Sequence, residues 1–427
     1  MSIRLLIYLV ICLCFVVKSF RTTPVVLAAL IIGMYFIYPE KYIWGLTEYR
    51  IVMVLNVILL VVILHKGLKL HIFGDIFSKL MVCLLSSFVL SAFFAKGDIA
   101  LSREYAVMFL KIGLFWFMLK ACLNGERDLG IFYWTCLLSI TFLAAWGVEQ
   151  YLLGNVRLEG FGGGQILGSN QIAAAMVWAL PVAYFKFIQK QGAPRWIALA
   201  CFCLLIAGLV CTQSRQAVVA VLVCLPWYFI YVKRKLIFIG GALVFILAGS
   251  FMVPSEFFQR IKTMEEYEED ASAMGRIEQW RGATKMFLDN PIIGVGGKNY
   301  YVLAHKYVEH PRVTHNTFFQ ILSEEGIIGI TTFLLLFFIT LKKLSALAKW
   351  EGQYEKPQYI PHYAMIAKIS IMGLLVVCMF QNKAEHEFLY WPIAVAAALT
   401  AQARRWETES PEVSPQSVAI SRDANLK

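Results

Sequence analysis

FFQILSEEGIIGITTFLLLFFITL, residues 318–341, runs without a charge except at Glu324 and Glu325. Its length matches the roughly 17–25 residues that carry a helix across ~30 Å of hydrocarbon. LIFIGGALVFILAGSFMV, residues 236–253, is a second block of the same kind. Around them the chain is 59% hydrophobic, 14% aromatic and only 16% charged. So little polar surface cannot cover a water-soluble globule of 427 residues. The sequence therefore reads as an all-α, polytopic membrane bundle, with lipid rather than water against its exterior.

Apolar blocks between polar punctuation place spans at 3–20, 24–38, 50–65, 77–95, 105–123, 131–153, 168–188, 195–211, 215–232, 236–253, 316–341, 362–381 and 388–402. This is a bundle of about 12–13 transmembrane helices. The uncertainty lies in the first two blocks, joined only by Arg21-Thr22-Thr23-Pro24, which form either a hairpin or one span. The first block has no small-x-small cleavage site, so no cleavable signal is expected.

A formal net charge of +11 raises the question of nucleic acid, and its location answers it. The basic residues gather at short joints: His65 to Lys69, Lys120 to Arg127, Lys186 to Arg195, Lys233-Arg234-Lys235, Lys342 to Lys349 and Arg404-Arg405. Threaded alternately, these joints all fall on one side, which the positive-inside rule makes cytoplasmic. The excess is a topology signal, and no nucleic-acid partner is expected.

The expected organisation is 1–160 as N-terminal membrane helices, 161–253 as central helices, 254–315 as a periplasmic insert, 316–402 as C-terminal helices and 403–427 as a disordered cytoplasmic tail. In the insert, Glu265 to Asp270 reads as a solvated acidic run. Ile277, Trp280, Ala283, Thr284 and Phe287 then recur at helical spacing from Gly275 to Asp289, and Asn290-Pro291 stops the helix. Gly160 to Gln165 lacks the strand and the Gly-Lys-Ser/Thr of a nucleotide loop and reads as an entry to the next helix. The ten cysteines sit in or beside apolar blocks without ligand spacing, which argues for packing rather than metal or disulfides.

Ionisable groups at span ends are functional candidates, because burying them is costly. Arg215, in Thr212-Gln213-Ser214-Arg215, stands at an outer junction, where a merely snorkelling arginine would also fit. Arg276 and Arg281 open the expected insert helix. A guanidinium grips phosphate in two-point geometry, and a helix start adds free N–H groups, although an ordinary exposed helix fits the same residues. His315, just before a long span, has the side chain suited to proton transfer near neutral pH, and a structural histidine there is the plainer alternative. Glu324 and Glu325 should face either a polar cavity or a re-entrant turn before Gly326.

These pieces, in this order, resemble the family of O-antigen ligases and related polysaccharide polymerases. The resemblance rests on Gly168-Ser169-Asn170-Gln171-Ile172-Ala173 with Pro181, and on Thr212-Gln213-Ser214-Arg215. It continues through Gly275-Arg276 to Asn290-Pro291-Ile292-Ile293-Gly294-Val295-Gly296, and ends with Thr314-His315-Asn316-Thr317-Phe318 and Gly326-Ile327-Ile328-Gly329. Tyr38-Pro39-Glu40-Lys41-Tyr42-Ile43-Trp44-Gly45 resembles ligase-like members associated with exosortase systems. The resemblance implies transfer of a glycan from undecaprenyl pyrophosphate at the periplasmic face of a bacterial inner membrane, without metal, nucleotide or other cofactor. It implies as partners a lipid-linked glycan donor, a lipid, glycan or protein acceptor, and the surrounding membrane lipids. It makes His315, Arg215 and Arg276 catalytic, with Arg281, Asn316 and Asn170 as substrate-binding residues. Lipopolysaccharide ligases resemble His-x-His-Asn where this chain has Val313 in the first histidine position, so a repeat-unit polymerase or a ligase for another acceptor stands beside the lipopolysaccharide ligase. A transporter or lipid flippase is the rival from another class. It would want internal symmetry, broken helices in matching halves or ion pairs deep in spans.

Overall fold

The structure is a computed structural model describing residues 3–43, 46, 50–155, 158, 168–231, 268–350 and 357–409, with side chains described except at Tyr231 and 268–273. Among these residues the fold is an all-α bundle: α1 (Ile3–Arg21), α2 (Val25–Ile37), α3 (Ile51–His65), α4 (Ile76–Phe93), α5 (Ile99–Cys122), α6 (Glu126–Leu152), α7 (Ser169–Gln189), α8 (Ala193–Cys211), α9 (Arg215–Tyr231), α10 (Glu268–Asp289), α11 (Asn299–Leu303), α12 (Thr317–Ala348), α13 (Tyr359–Cys378) and α14 (Trp391–Glu409). Eight of these helices are long and apolar enough to cross a membrane, and α2, α3 and α9 are apolar but shorter. The span expected at 236–253, Glu265 and Glu266 of the acidic run, the glycines at 160–165 and the tail beyond 409 lie outside the described residues.

The exterior confirms the membrane reading from the packing side. Leu138, Phe142 and Phe338 are 50%, 43% and 64% exposed, so apolar side chains form the outer surface of the bundle. Inside, Trp391 meets the rings of Tyr35, Phe36, Phe115, Phe132 and Trp178, which ties α2, α5, α6 and α7 to the start of α14. Such edge-to-face clusters add packing specificity that aliphatic contacts lack. The first two apolar blocks are separate helices: α1 and α2 pack on each other as a hairpin, and the ring of Phe20 lies 5.5 Å from that of His65. That contact puts the C-terminal ends of α1 and α3 at the same end of the bundle.

The basic joints share that end. Lys120 pairs with Asp75 at 3.0 Å, Gln402 donates to Leu123 O at 2.8 Å, and Tyr359 donates to Gln402 Oε1 at 2.9 Å. The opposite end carries the insert. There Lys96 N donates to Val295 O at 2.9 Å, and Asp98 N donates to Asn299 Oδ1 at 2.8 Å.

The run that opened the reading is a broken helix. At Gly326 the backbone leaves helical geometry, with φ 63° and ψ −161°. The orphaned groups find partners in the insert: Ser323 O and Glu324 O accept from Val295 N and Gly296 N at 3.1 and 3.0 Å, while Ile327 N and Ile328 N donate to Pro291 O and Ile292 O at 2.8 and 3.4 Å. Backbone away from water needs such partners, so the segment 291–296 is spliced into the gap of α12. Glu324 is 4% exposed, and its carboxylate accepts from Tyr300 N at 3.3 Å and from Gln320 Nε2 at 3.1 Å. It is a peg that holds the insert to the bundle.

Two sequence expectations need correction. The insert helix begins at Glu268, not at Gly275, so Arg276 and Arg281 lie inside α10 and no free helix N-terminus faces them. Acidic residues suit a helix N-terminus, and Glu268-Glu269-Asp270 extend the helix backward on that account. At the other end of the chain, α13 stops at Cys378 and α14 starts only at Trp391. The connection between them sinks into the bundle, where Tyr390 O accepts from Trp116 Nε1 at 3.1 Å and Lys383 and His386 are 3% and 2% exposed.

Candidate functional site

Chain register brings distant residues to one level at the insert end. Ser370 in α13 donates to Trp178 O of α7 at 2.8 Å, and Cys224 of α9 faces Ile369 O at 3.7 Å. From that shared layer, Asn170, Arg215 and Met379 each lie about 12–14 Å along their helices at ~1.5 Å per residue. All three therefore reach the same end of the bundle at comparable height. Ser214 donates to Asn170 Oδ1 at 2.8 Å, joining the starts of α7 and α9. Gln213, two residues before Arg215, has a left-handed φ of 50°.

His315 occupies a second left-handed position, with φ 48°. Such a conformation costs about 1–3 kcal/mol and persists only where the surroundings enforce it. Here Asn382 Oδ1 accepts from Thr314 Oγ1 at 2.9 Å and from Asn316 N at 3.0 Å, bracketing the histidine on both sides. Asn316 adds a second clamp, since its Oδ1 accepts from Phe318 N and Phe319 N as the N-cap of α12 while Nδ2 donates to Met379 O at 3.0 Å. Trp280 of α10 donates from Nε1 to Thr314 O at 3.0 Å and stacks on Phe319 with ring centroids 5.4 Å apart.

The charges around this turn are positive. Partial burial holds the His315 imidazole below its ordinary value, and the guanidiniums of Arg276 and Arg312 lower it further. Among the described residues, no carboxylate forms an ion pair with Arg276, Arg281 or Arg312. Their forks are available to an anionic ligand.

Five of the six residues singled out from sequence thus fall into two groups. Asn170 and Arg215 stand together at the α7 and α9 ends, and Arg276, His315 and Asn316 stand together at the junction of α10 with α12. The end of α13 lies between, because α13 packs against α7, α9 and α12. Arg281 shares a stripe of α10 with Met274 and Glu278, beside His310 and Arg312. Sequence reading missed Arg312, hidden in an unpatterned loop, and Asn382, hidden in a joint whose polar run Asn382-Lys383-Ala384-Glu385-His386-Glu387 is the signal that could have disclosed it.

Residues 199–334 match the model of the O-antigen ligase family. The matched segment runs from α8 into α12 and contains Arg215, Arg276, Arg281, Arg312, His315, Asn316 and the break at Gly326. Asn170 and Asn382 lie beyond it. No curated protein matches the chain in sequence. Through residues 199–334, this multi-pass membrane protein is similar to the O-antigen ligase family.

Proposed function

We propose that the protein transfers an oligo- or polysaccharide from undecaprenyl pyrophosphate to an acceptor hydroxyl at the periplasmic face of a bacterial inner membrane. The observation that carries this reading is the strained His315 turn, set beside Arg276 and Arg312 at the same end of the bundle as Arg215. A lipid-linked pyrophosphate enters at membrane level, where Arg215 and Arg276 hold its phosphoryl oxygens. His315, kept neutral by its surroundings, takes the proton of the acceptor hydroxyl. The hydroxyl oxygen attacks the anomeric carbon, the carbon–oxygen bond to phosphate breaks, and the departing pyrophosphate keeps the electron pair under the positive field of the arginines. One displacement joins the glycan and inverts the anomeric centre.

A repeat-unit polymerase would run the same chemistry, with another lipid-linked glycan as acceptor. A flippase is less well served. The break in α12 is filled by backbone of the insert instead of being left to line an ion path.

In a deletion strain, surface glycan should be lost and lipid-linked glycan should accumulate. Accumulated long chains mark a ligase and accumulated single repeats a polymerase. Complementation by Arg215→Ala at normal protein level should fail, and normal surface glycan from that variant would refute the assigned site.

Asn382 acts in this reading as a positioning residue. Asn382→Ala strands Asn316 N and leaves Thr314 Oγ1 only its contact to Asn316 O at 3.1 Å, at a cost of roughly 1–3 kcal/mol for the unmet amide, and should lower kcat with KM for the donor nearly unchanged. Asn382→Asp keeps an acceptor at the same place and should recover much of the rate. Equal activity of the alanine variant and the parent would remove Asn382 from the account.

A further inference from the structure

The first half of α10 borders a groove of about 410 Å³, lined by Met274, Glu278, Arg281, His310 and Arg312. That is within the range of small-molecule sites, roughly 300–1,000 Å³. Its wall is fixed by hydrogen bonds from two consecutive side chains. Glu278 Oε1 accepts from Glu309 N and His310 N at 2.9 and 3.3 Å. Gln279, 1% exposed, donates to His310 O at 2.9 Å and accepts from Arg312 N at 3.1 Å. The stretch 309–312 is thereby stitched to the first half of α10, and the side chains of His310 and Arg312 are presented beside Arg281.

The charge in the groove is not balanced internally. Glu278 offsets one positive charge and has its Oε1 held by two backbone amides, while Arg281 and Arg312 carry two and have no ion pair among the described residues. Arg312 belongs to both neighbourhoods. Its guanidinium lies 3.9 Å from where a Cβ on Gly275 would sit, and its charge reaches His315. Arg312 therefore links the groove to the surroundings of the histidine.

We propose that this groove is the acceptor subsite and that it takes an anionic saccharide, one carrying a carboxylate or a phosphate. The assignment rests on the glycan-transfer reading and adds the acceptor's chemical class to it. Arg281 and Arg312 grip the anion in two-point geometry, and His310 lines the same wall. The sugar ring bound there points a hydroxyl along Arg312 toward His315.

The test uses the full-length protein in detergent and labelled probes of matched length: tetragalacturonate for a carboxylate, phosphorylated maltotetraose for a phosphate, and neutral maltotetraose. At least one anionic probe should bind about tenfold or more tighter than the neutral one, and the preference should shrink as salt is raised. Arg281→Gln with Arg312→Gln should abolish the preference, whereas Arg215→Gln should leave it intact. The stronger probe identifies the anion. Equal binding of neutral and anionic probes, or a preference that survives the double variant, would overturn the proposal. Displacement of the bound probe by equimolar inorganic pyrophosphate would also overturn it, by making the groove part of the donor site. Failure here is separable from failure of glycan transfer: an active His315→Ala variant would sink the transfer reading whatever the probes do.

Discussion

Replacement of His315 by alanine is expected to slow glycan joining by about 10²–10⁴-fold, the usual contribution of a positioned general base. Folding should survive, because the clamps on this turn come from Thr314, Asn316 and Asn382 and not from the imidazole. The pH profile supplies a second readout with a defined sign. The neutral ring is the working form, and both burial and the positive charges of Arg276 and Arg312 disfavour the imidazolium. The acid limb should therefore lie below the ordinary imidazole value of 6.5. Arg312→Gln removes one repelling charge and should move that limb upward, even where the absolute rate falls. A limb above 6.5, or one that Arg312→Gln leaves in place, would show that His315 is not the titrating base.

The second large effect concerns folding. At Gly326 an added Cβ would meet Ile292 O at 2.5 Å and Gly294 N at 2.7 Å, in a backbone conformation that side chains resist. Neither neighbour can yield, since both are backbone of the segment that fills the helix gap. Gly326→Ala should cost about 3 kcal/mol or more from strain and overpacking together. The insert should detach, with a lower thermal midpoint and new protease cleavage between 291 and 303. Gly33→Ala is the control, because its Cβ would stand 3.7 Å from Ser139 Oγ, an ordinary contact. A Gly326→Ala protein as stable as the Gly33→Ala protein would remove the splice from the account.

Much of the fold was readable because the bilayer imposes length and apolarity on each span. Among the described residues the alternating basic joints also survive in three dimensions, gathered at the end opposite the insert. Single-residue features were harder. Glu324 and Glu325 posed the right question, a charge inside an apolar run, but its answer required Pro291 to Gly296, which lie across the insert in sequence. The insert helix was started too late because periodicity detects buried spacing, and the acidic turn before Gly275 offers no apolar spacing to detect. The connection 379–390 was divided between two spans because Phe388 to Trp391 continue the apolar signal. Pro392, at home in the first turn of a helix, marks the true start.

Arg215 and His315 were found as isolated residues at span ends. What sequence could not supply is their common level, set by Trp178 with Ser370 and by Cys224 with Ile369. Asn382 and Arg312 act on the same turn, one holding the backbone on either side of His315 and the other charging its environment. Neither sits in a pattern of its own, which is why each emerges only from the folded chain.

The central claim is glycan transfer at this site, and the most direct measurement is a reconstitution. Purified protein in detergent, without any gradient, receives lipid-pyrophosphate-linked glycan and a hydroxyl acceptor, and joined product and released undecaprenyl pyrophosphate are counted. Equal amounts of the two are expected, and about a hundredfold less of both, or lower, from folded Arg215→Ala or His315→Ala protein. Product formation that both variants sustain at the parent rate would contradict it.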